Sequence, residues 1–181
     1  MKPILIREFI RDKRVASIKS SSRFVAKQIC DMINFNKNLV IIEYGPGNGV
    51  ITKEILKRMN KDSRLLVIET NEKFCIFLSK IKDDRLIVIN NEAGNVKEIL
   101  NKSNVNGVDY IISGIPFSMI KNNVQEKILS ETKNILNENG SFIVYQIKAE
   151  IERNLRKYFS NIKKHREIRN IPPLVIFECK K

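Results

Sequence analysis

A run of apolar residues that ends in closely spaced glycines, VIIEYGPGNGVITKEIL at positions 40–56, constrains the fold more than any other part of the chain. Gly45, Gly47 and Gly49 occupy alternate positions after the apolar run, and a segment of helical period follows them. Glycines at such a turn let a ligand approach the backbone at the carboxyl end of a strand, which is the binding crevice of an open α/β sheet. The stretch therefore predicts an α/β fold with a ligand at the carboxyl edge of its sheet.

The rest of the chain repeats this alternation of short Val- and Ile-rich runs with longer segments of helical period, which is typical of a parallel sheet with crossover helices. The last two runs are separated only by residues 170–173, too few for a crossover helix, so they should form an antiparallel hairpin at the sheet edge. We predict a Rossmann-like, seven-stranded mixed sheet with helices on both faces and a C-terminal antiparallel hairpin. The predicted strands are residues 39–44, 64–69, 86–90, 110–113, 142–147, 166–169 and 174–179, with a helix cap at Asn71, a helix end at Ser103 and a turn at 138–140.

Chain length predicts one domain. With 181 residues, of which 43% are hydrophobic, the chain can bury one core but is short for two. We expect a single domain over residues 1–181, with a ligand-binding core at 35–181 and a helical lid or anchor at 1–34. That first segment holds two predicted helices, residues 2–12 and 23–33, the second capped by serines at 20–22.

The glycine spacing and two acidic residues distinguish between the cofactors that use such a crevice. A nicotinamide dinucleotide needs G-x-G-x-x-G and places its pyrophosphate at the helix N-terminus. Here the spacing is G-x-G-x-G, and Glu43 would bring a negative charge to that phosphate. S-adenosylmethionine instead carries an ammonium and a sulfonium, which a carboxylate favours. Glu69 lies 20 positions after Gly49, at the interval of a ribose-binding acid. The predicted cofactor is S-adenosylmethionine.

These residues resemble the motifs of class I S-adenosylmethionine-dependent methyltransferases, over nearly the whole chain. Residues 43–49 are similar to the first motif of that class and residues 68–69 to the second. Asn91-Glu92-Ala93 stands where the class often has Gly-Asp-Ala, whose acid contacts the adenine amino group, although Glu92 is longer. The cofactor-binding residues that the resemblance implies are Glu43, Gly45, Gly47, Gly49, Glu69, Thr70, Glu92, Ala93 and Ser113.

The segment SGIPF at 113–117 bears most on the methyl acceptor. It resembles the Asn-Leu-Pro-Tyr of the ribosomal RNA adenine dimethylases, in which the asparagine accepts a hydrogen bond from the target adenine and the aromatic ring stacks on the flipped base. Gly114 stands at the asparagine position. The loss of that acceptor leaves an amine unpaired at a cost of about 1 to 3 kcal/mol.

Three segments in order resemble the bacterial phospholipid N-methyltransferases, which convert phosphatidylethanolamine toward phosphatidylcholine. They are FIRDKRVASIKSSSRFVAKQI at 9–29, SGIPF, and REIRNIPPLVIFECK at 166–180. They are similar to the Pro-Ser-Ser-Arg, Ser-Gly-Leu-Pro-Phe and Arg-Asn-Leu-Pro-Pro of that family, with Ser20 in the first proline position. The resemblance implies methylation of a lipid head-group amine at the inner membrane face.

The catalytic residues that we predict surround this segment. Gly114 and Pro116 should shape the acceptor mouth, Phe117 should form an apolar wall, and Tyr145 at the end of the fifth strand is the candidate to receive the proton. Arg169 with Asn170 is expected to hold a phosphate by bidentate contact, with hairpin residues facing solvent as the alternative.

Charge points to a polyanionic partner, since the formal charge is +13 and the pI about 9.8. That partner would be an anionic membrane surface or nucleic acid, although the lysine excess also fits an AT-rich genome.

Residues 1–14 carry Ile6, Phe9 and Ile10 on one helical side and would settle on lipid or pack as a lid. No apolar run reaches a membrane span of about 20 residues, and three widely spaced cysteines predict no disulfide or metal site. We expect a cytoplasmic, peripherally membrane-associated enzyme and leave its oligomeric state open.

The sequence supports three hypotheses about the function. The first is a lipid amine N-methyltransferase. The second is an RNA adenine methyltransferase of dimethylase type that lacks the helical RNA-binding domain. The third is a small-molecule or non-catalytic member, because the acceptor site is the least constrained part of such a fold.

Overall fold

A seven-stranded sheet with strand order β3-β2-β1-β4-β5-β7-β6 forms the centre of the protein. The computed structural model describes residues 23–103, 105 and 107–181. The strands are β1 (Val40–Tyr44), β2 (Arg64–Glu69), β3 (Leu86–Asn90), β4 (Val108–Ser113), β5 (Leu136–Gln146), β6 (Asn161–Glu167) and β7 (Leu174–Lys180). The helices are α1 (Arg23–Asp31), α2 (Val50–Arg58), α3 (Glu72–Leu78), α4 (Val96–Lys102), α5 (Asn122–Ile135) and α6 (Glu152–Leu155), with 3₁₀ turns at Ala93–Asn95, Phe117–Met119 and Ala149–Ile151.

The sheet confirms the predicted fold class. Strands β1 to β5 run parallel to one another, and β7 is antiparallel to both β5 and β6. The bounds of β2 and β3 are those predicted, β1 and β7 differ by one residue, and β4 begins two residues earlier. Asn71 caps α3 by accepting a hydrogen bond from the N–H of Lys73 at 2.9 Å, and Ser103 is the C-cap of α4, both as predicted.

Two sequence expectations on the later strands are wrong. Residues 138–140, expected as a turn, lie inside β5. The pairing of β4 with β5 is irregular there, because one residue of β4 and four of β5 separate the pairs Val108–Leu136 and Tyr110–Ser141. Strand β6 begins at residue 161 instead of 166 and ends at 167. It is the outer strand and pairs only with β7, so it is largely polar and lacks an apolar run.

Each face of the sheet carries its own apolar core, as expected for helices on both faces. Ile42 belongs to the core covered by α4 and α5, whereas its neighbour Ile41 belongs to the core covered by α1 and α2. Both side chains are fully buried. Strands buried on both faces read as continuous apolar runs, which is why the sequence predicted β1 and β2 so closely.

The N-terminal predictions are covered only in part. Helix α1 confirms the expected helix at 23–33 to within two residues. The helix at 2–12, the capping serines and the amphipathic segment 1–14 lie outside the described residues. Within the part of the chain that the structure describes, no helix combines the length and hydropathy that a membrane span requires.

Candidate active site

The glycine loop lies at the carboxyl end of β1 and requires its glycines. Gly45, Gly47 and Gly49 have φ of 66°, 55° and 72°, in the left-handed region that other residues rarely adopt. A side chain at Gly49 would come within 2.7 Å of Leu78 Cδ2, whereas a Cβ at Gly47 would meet no described atom within 4 Å. One side of the loop is therefore packed against α3, and Gly47 faces open space where a ligand fits.

Glu69 joins the end of β2 to this loop. Its carboxylate accepts hydrogen bonds from the N–H of Gly47 at 3.2 Å and from the N–H of Asn71 at 2.9 Å, and the residue is only 8% exposed. A carboxylate has about four acceptor positions, so each oxygen can accept one more hydrogen bond. The predicted ribose-binding acid thus lies beside the loop with acceptor capacity to spare.

Glu43 lies beneath the loop and is almost completely buried. Its Oε2 accepts a hydrogen bond from the hydroxyl of Thr52 in α2 at 2.6 Å, while Oε1 has no partner among the described residues. Burial raises the pKa of Glu43 to about 7, the Thr52 hydrogen bond lowers it, and the charge of Glu69 raises it further. Such a buried, partly satisfied carboxylate fits a cofactor that carries positive charge.

The remaining predicted cofactor residues follow β2, β3 and β4. The N–H of Asn91 donates to the carbonyl of Glu69 at 3.1 Å, which brings the end of β3 to the same place. Glu92 is exposed there and Ala93 is buried, while Thr70 is partly exposed. Ser113 is fully buried, and its hydroxyl accepts from the N–H of Ile115 at 3.3 Å. These residues therefore share the carboxyl edge, although the Ser113 hydroxyl bonds to the backbone of the segment that follows β4.

Gly114 and Tyr145 meet at the point where the acceptor was predicted. A Cβ at Gly114 would lie 2.1 Å from the Tyr145 hydroxyl oxygen and 3.3 Å from the carbonyl oxygen of Gly45. The Gly114 N–H donates to the carbonyl of Tyr44 at 3.0 Å, which fixes the backbone against β1. The Tyr145 hydroxyl thus fills the space where a side chain at position 114 would begin.

Three amide side chains that the sequence analysis missed hold the acceptor loop, residues 113–120. Gln146 accepts from the N–H of Phe117 at 3.2 Å and donates to the carbonyl of Ile115 at 2.7 Å. Gln125 in α5 donates to the carbonyl of Phe117 at 2.8 Å and accepts from Asn154 at 2.9 Å. Since these groups are buried or partly buried, the bonds fix the loop conformation.

Two predicted acceptor-side contacts are placed differently by the structure. Phe117 is 0% exposed and belongs to an apolar core, so its ring supports the acceptor loop from behind and forms no open wall. Arg169 gives its bidentate contact to Glu167, whose pKa it lowers, and its guanidinium lies 4.7 Å from the centre of the Phe24 ring. Asn170 is buried and donates to the carbonyl of Pro172. The expected phosphate contact is therefore replaced by contacts within the hairpin.

The three cysteines of the chain are shielded from solvent. Cys30, Cys75 and Cys179 are buried and free, and burial raises the pKa of Cys30 and of Cys179 to about 12. Among the described residues, no cluster of three or more His, Cys, Asp or Glu side chains is arranged for a metal ion.

Comparison with known proteins places these features in a family. Residues 20–119 match the model of the ribosomal RNA adenine dimethylases. The chain is 25% identical to an ornithine lipid N-methyltransferase of Singulisphaera acidiphila, over 92% of this chain and 88% of that protein. It is 37% identical to ribosomal RNA small subunit methyltransferase A of Mycoplasma mycoides, over 50% of this chain but only 34% of that protein.

A solved structure agrees with the fold. The precorrin-6y C5,15-methyltransferase of Geobacter metallireducens superposes with a TM-score of 0.70 at 14% identity, covering 90% of each chain. The family match spans more than half of the chain and includes the glycine loop, Glu69 and the start of the acceptor loop. The chain therefore belongs to the ribosomal RNA adenine dimethylase family and is an S-adenosylmethionine-dependent methyltransferase.

Proposed function

We propose that the protein methylates the primary amine of a membrane lipid head group, such as that of phosphatidylethanolamine or an ornithine lipid. The observation that carries this proposal is the meeting of Gly114 with Tyr145, since the Tyr145 hydroxyl occupies the space where the dimethylase asparagine would start. An amide that reads adenine has no room there. The likeness to the ornithine lipid enzyme, which runs over 92% of this chain, supports the same choice.

On the cofactor side, the acidic residues of the carboxyl edge would bind different parts of S-adenosylmethionine. Bound S-adenosylmethionine supplies an electrophilic methyl group on a sulfonium. Glu69 would accept hydrogen bonds from the ribose hydroxyls, Glu92 from the adenine amino group, and Glu43 would place negative charge below the glycine loop. The open side of the loop at Gly47 leaves room for the cofactor against the backbone.

On the acceptor side, the chain aligns a neutral amine with the methyl group. Methyl transfer would form the nitrogen–carbon bond as the sulfur–carbon bond breaks, with S-adenosylhomocysteine as the leaving group, and the proton of the methylated nitrogen would pass to solvent water. We assign the Tyr145 hydroxyl to accept a hydrogen bond from the amine, helped by the Gly45 carbonyl, which a Cβ at position 114 would meet at 3.3 Å. Alignment of this kind contributes several kcal/mol in favourable cases.

The direct test is transfer of labelled methyl groups to three acceptors in parallel: vesicles containing phosphatidylethanolamine, vesicles containing ornithine lipid, and ribosomal RNA. We expect label in the lipid amine of one or both vesicles. Label in RNA alone would overturn the proposal, and label in none of the three would favour a small-molecule acceptor.

A tyrosine pair gives this test an internal control. Tyr145→Phe removes only the hydroxyl and should lower kcat for the lipid acceptor at least tenfold while the affinity for S-adenosylmethionine stays unchanged. Tyr158→Phe changes a partly buried tyrosine packed on the apolar core and should leave both quantities unchanged. Equal activity of the two variants would remove Tyr145 from the acceptor site.

Adenine in RNA is the second candidate acceptor. It is supported by the family match, by the likeness to an RNA methyltransferase over 95 residues and by the formal charge of +13. The chain spans 34% of the length of that relative, so most of the relative has no counterpart in the alignment. The RNA arm of the transfer assay decides between the two acceptors.

A further inference from the structure

The turn between β6 and β7 exposes two large apolar side chains. Ile168 is 75% exposed and Ile171 is 92% exposed in this turn, residues 168–173, which we call the hairpin tip. An isolated exposed isoleucine needs no explanation, but several around one site mark a contact surface.

The hairpin tip lies at the edge of the sheet that carries the acceptor site. Gln146 pairs with Val175, so the tip continues past the carboxyl end of β5, next to Ile147. Ile147 is 38% exposed and Met119, in the acceptor loop, is 50% exposed. The 3₁₀ turn that contains Met119 packs against the 3₁₀ turn that follows Ile147. Exposed apolar side chains thus follow both strands that supply Gly114 and Tyr145.

The hairpin tip is held by its own hydrogen bonds. Glu167 accepts from the N–H and the guanidinium of Arg169, and Asn170 donates to the carbonyl of Pro172 at 2.7 Å. Arg169 also lies over the ring of Phe24 in α1. Polar groups that are satisfied within the protein lose less free energy on leaving water, so this turn can enter a weakly polar layer more easily than an open loop.

The charges around the hairpin tip favour an anionic surface. Lys121 and Arg166 are exposed, while Lys148 lies 3.6 Å from Glu150 and Arg169 is paired with Glu167. The local charge is positive, and the whole chain carries +13. Basic residues near an anionic bilayer are attracted to its surface.

We propose that the hairpin tip inserts Ile168 and Ile171 into the boundary between head groups and acyl chains of an anionic bilayer, with Met119 and Ile147 at the rim of the contact. This docking turns the carboxyl edge of the sheet toward the membrane, so that a head-group amine reaches Tyr145 without leaving the bilayer. It builds on the lipid acceptor proposed above and adds the surface that delivers it.

The absence of tryptophan from the chain allows a local fluorescence test. The Ile171→Trp variant is mixed with vesicles of phosphatidylglycerol and phosphatidylethanolamine, with brominated acyl chains as quenchers. The matched control is Ile76→Trp, which replaces a 56% exposed isoleucine of α3. Helix α3 contacts β3, the edge strand farthest from the β6–β7 hairpin. We expect a blue shift and quenching for Ile171→Trp and neither for Ile76→Trp.

Three results would overturn the docking surface. The first is vesicle sedimentation without a spectral change in Ile171→Trp, which places the contact elsewhere on the chain, such as residues 1–22. The second is emission that is already blue-shifted without vesicles, which means that protein covers the tip. The third is failure of the unmodified chain to bind the vesicles.

A second variant separates docking from chemistry. Ile168→Ser/Ile171→Ser should weaken vesicle partition about tenfold or more, because two apolar side chains no longer enter the boundary layer. Its transfer to a short-chain, water-soluble phosphatidylethanolamine should equal that of the unmodified chain. If the unmodified chain methylates lipid but the variant binds vesicles equally well, the docking surface is wrong and the lipid function stands. If the tip inserts but no lipid is methylated, the function is wrong and the docking surface stands.

Discussion

The cofactor half and the acceptor half of the carboxyl edge are built in different ways. In the cofactor half, Glu43 bonds to Thr52 nine positions later, and Glu69 bonds to Gly47 at the end of the adjacent strand. In the acceptor half, Gln146 reaches back 31 positions to Ile115. The cofactor site is thus defined by one loop and its neighbouring strand, whereas the acceptor site depends on side chains brought together from distant elements. This difference explains why the cofactor can be inferred from a motif and the acceptor cannot.

The largest expected effect tests the cofactor half. Glu69→Ala removes the acceptor of the Gly47 N–H together with the predicted ribose contacts, and each hydrogen bond to a charged group contributes about 1.5 to 3 kcal/mol. We expect the affinity for S-adenosylmethionine to fall about 100-fold or more in titration calorimetry. Glu98→Ala, which affects only an exposed ion pair with Lys102, is the control. An unchanged affinity in Glu69→Ala would show that the glycine loop does not bind this cofactor.

The next effect concerns the pH dependence of stability in the same half. Because the pKa of Glu43 is about 7 in the folded protein and near 4.5 otherwise, the folded state binds this proton more tightly. The contribution of Glu43 to the free energy of unfolding is therefore present at low pH and falls as the pH rises from about 4.5 to about 7, by on the order of 3 kcal/mol. Glu43→Gln cannot titrate and should lack this part of the slope.

Urea unfolding at several pH values measures both proteins, and the difference between their slopes isolates Glu43 from the other carboxyls. Parallel curves for Glu43→Gln and the unmodified protein would mean that the pKa of Glu43 in the folded protein stays near its ordinary value of 4.5, so that Glu43 is mostly ionised above this pH. The buried carboxylate would then need a cationic partner that the described residues do not supply.

A smaller effect tests the acceptor half. Gln146→Leu keeps the approximate volume but leaves the N–H of Phe117 and the carbonyl of Ile115 without their side-chain partner. We expect a loss of about 2 kcal/mol in the free energy of unfolding and reduced methyl transfer. The affinity for S-adenosylmethionine should stay within about twofold, because these bonds lie in the acceptor half. A large loss of cofactor affinity would show that the two halves are one unit.

The smallest effect tests the contact between Gly114 and Tyr145. Gly114→Ala places a methyl group against the Tyr145 hydroxyl and should destabilise the protein by about 1 to 2 kcal/mol. In a Tyr145→Ala background the same change should be nearly neutral, because the obstructing ring is gone. The coupling free energy from this double-mutant cycle is the measurement, and additive effects would contradict the contact.

The sequence predicts those parts of the fold whose causes are local. Strands β1 and β2 are buried on both faces, so their apolar runs mark their ends. Glu69 stands out because its interval from the glycines is fixed. Residues 138–140 look like a turn by composition, but their place within β5 depends on the pairing with β4. That pairing is a long-range property that no local pattern records.

The same limit applies to the acceptor site. Gln146 and Gln125 are ordinary polar residues in a linear reading, and only the folded chain shows that they hold the acceptor loop. Tyr145 was identified by its position at a strand end, but its contact with Gly114 follows from the register of β4 and β5. Polar residues at or near strand ends are the one sequence signal that would have pointed to Gln146.

The position of β7 between β5 and β6 also shapes how the chain folds. Strand β5 keeps an open hydrogen-bonding edge until β6 and β7, which are made later, have emerged and paired. The β6–β7 hairpin is a local structure that can form early, whereas its docking through β7 joins residues as far apart as Ser141 and Lys180. A nascent chain that lacks the hairpin therefore presents a free sheet edge, which is a site for aggregation or chaperone capture.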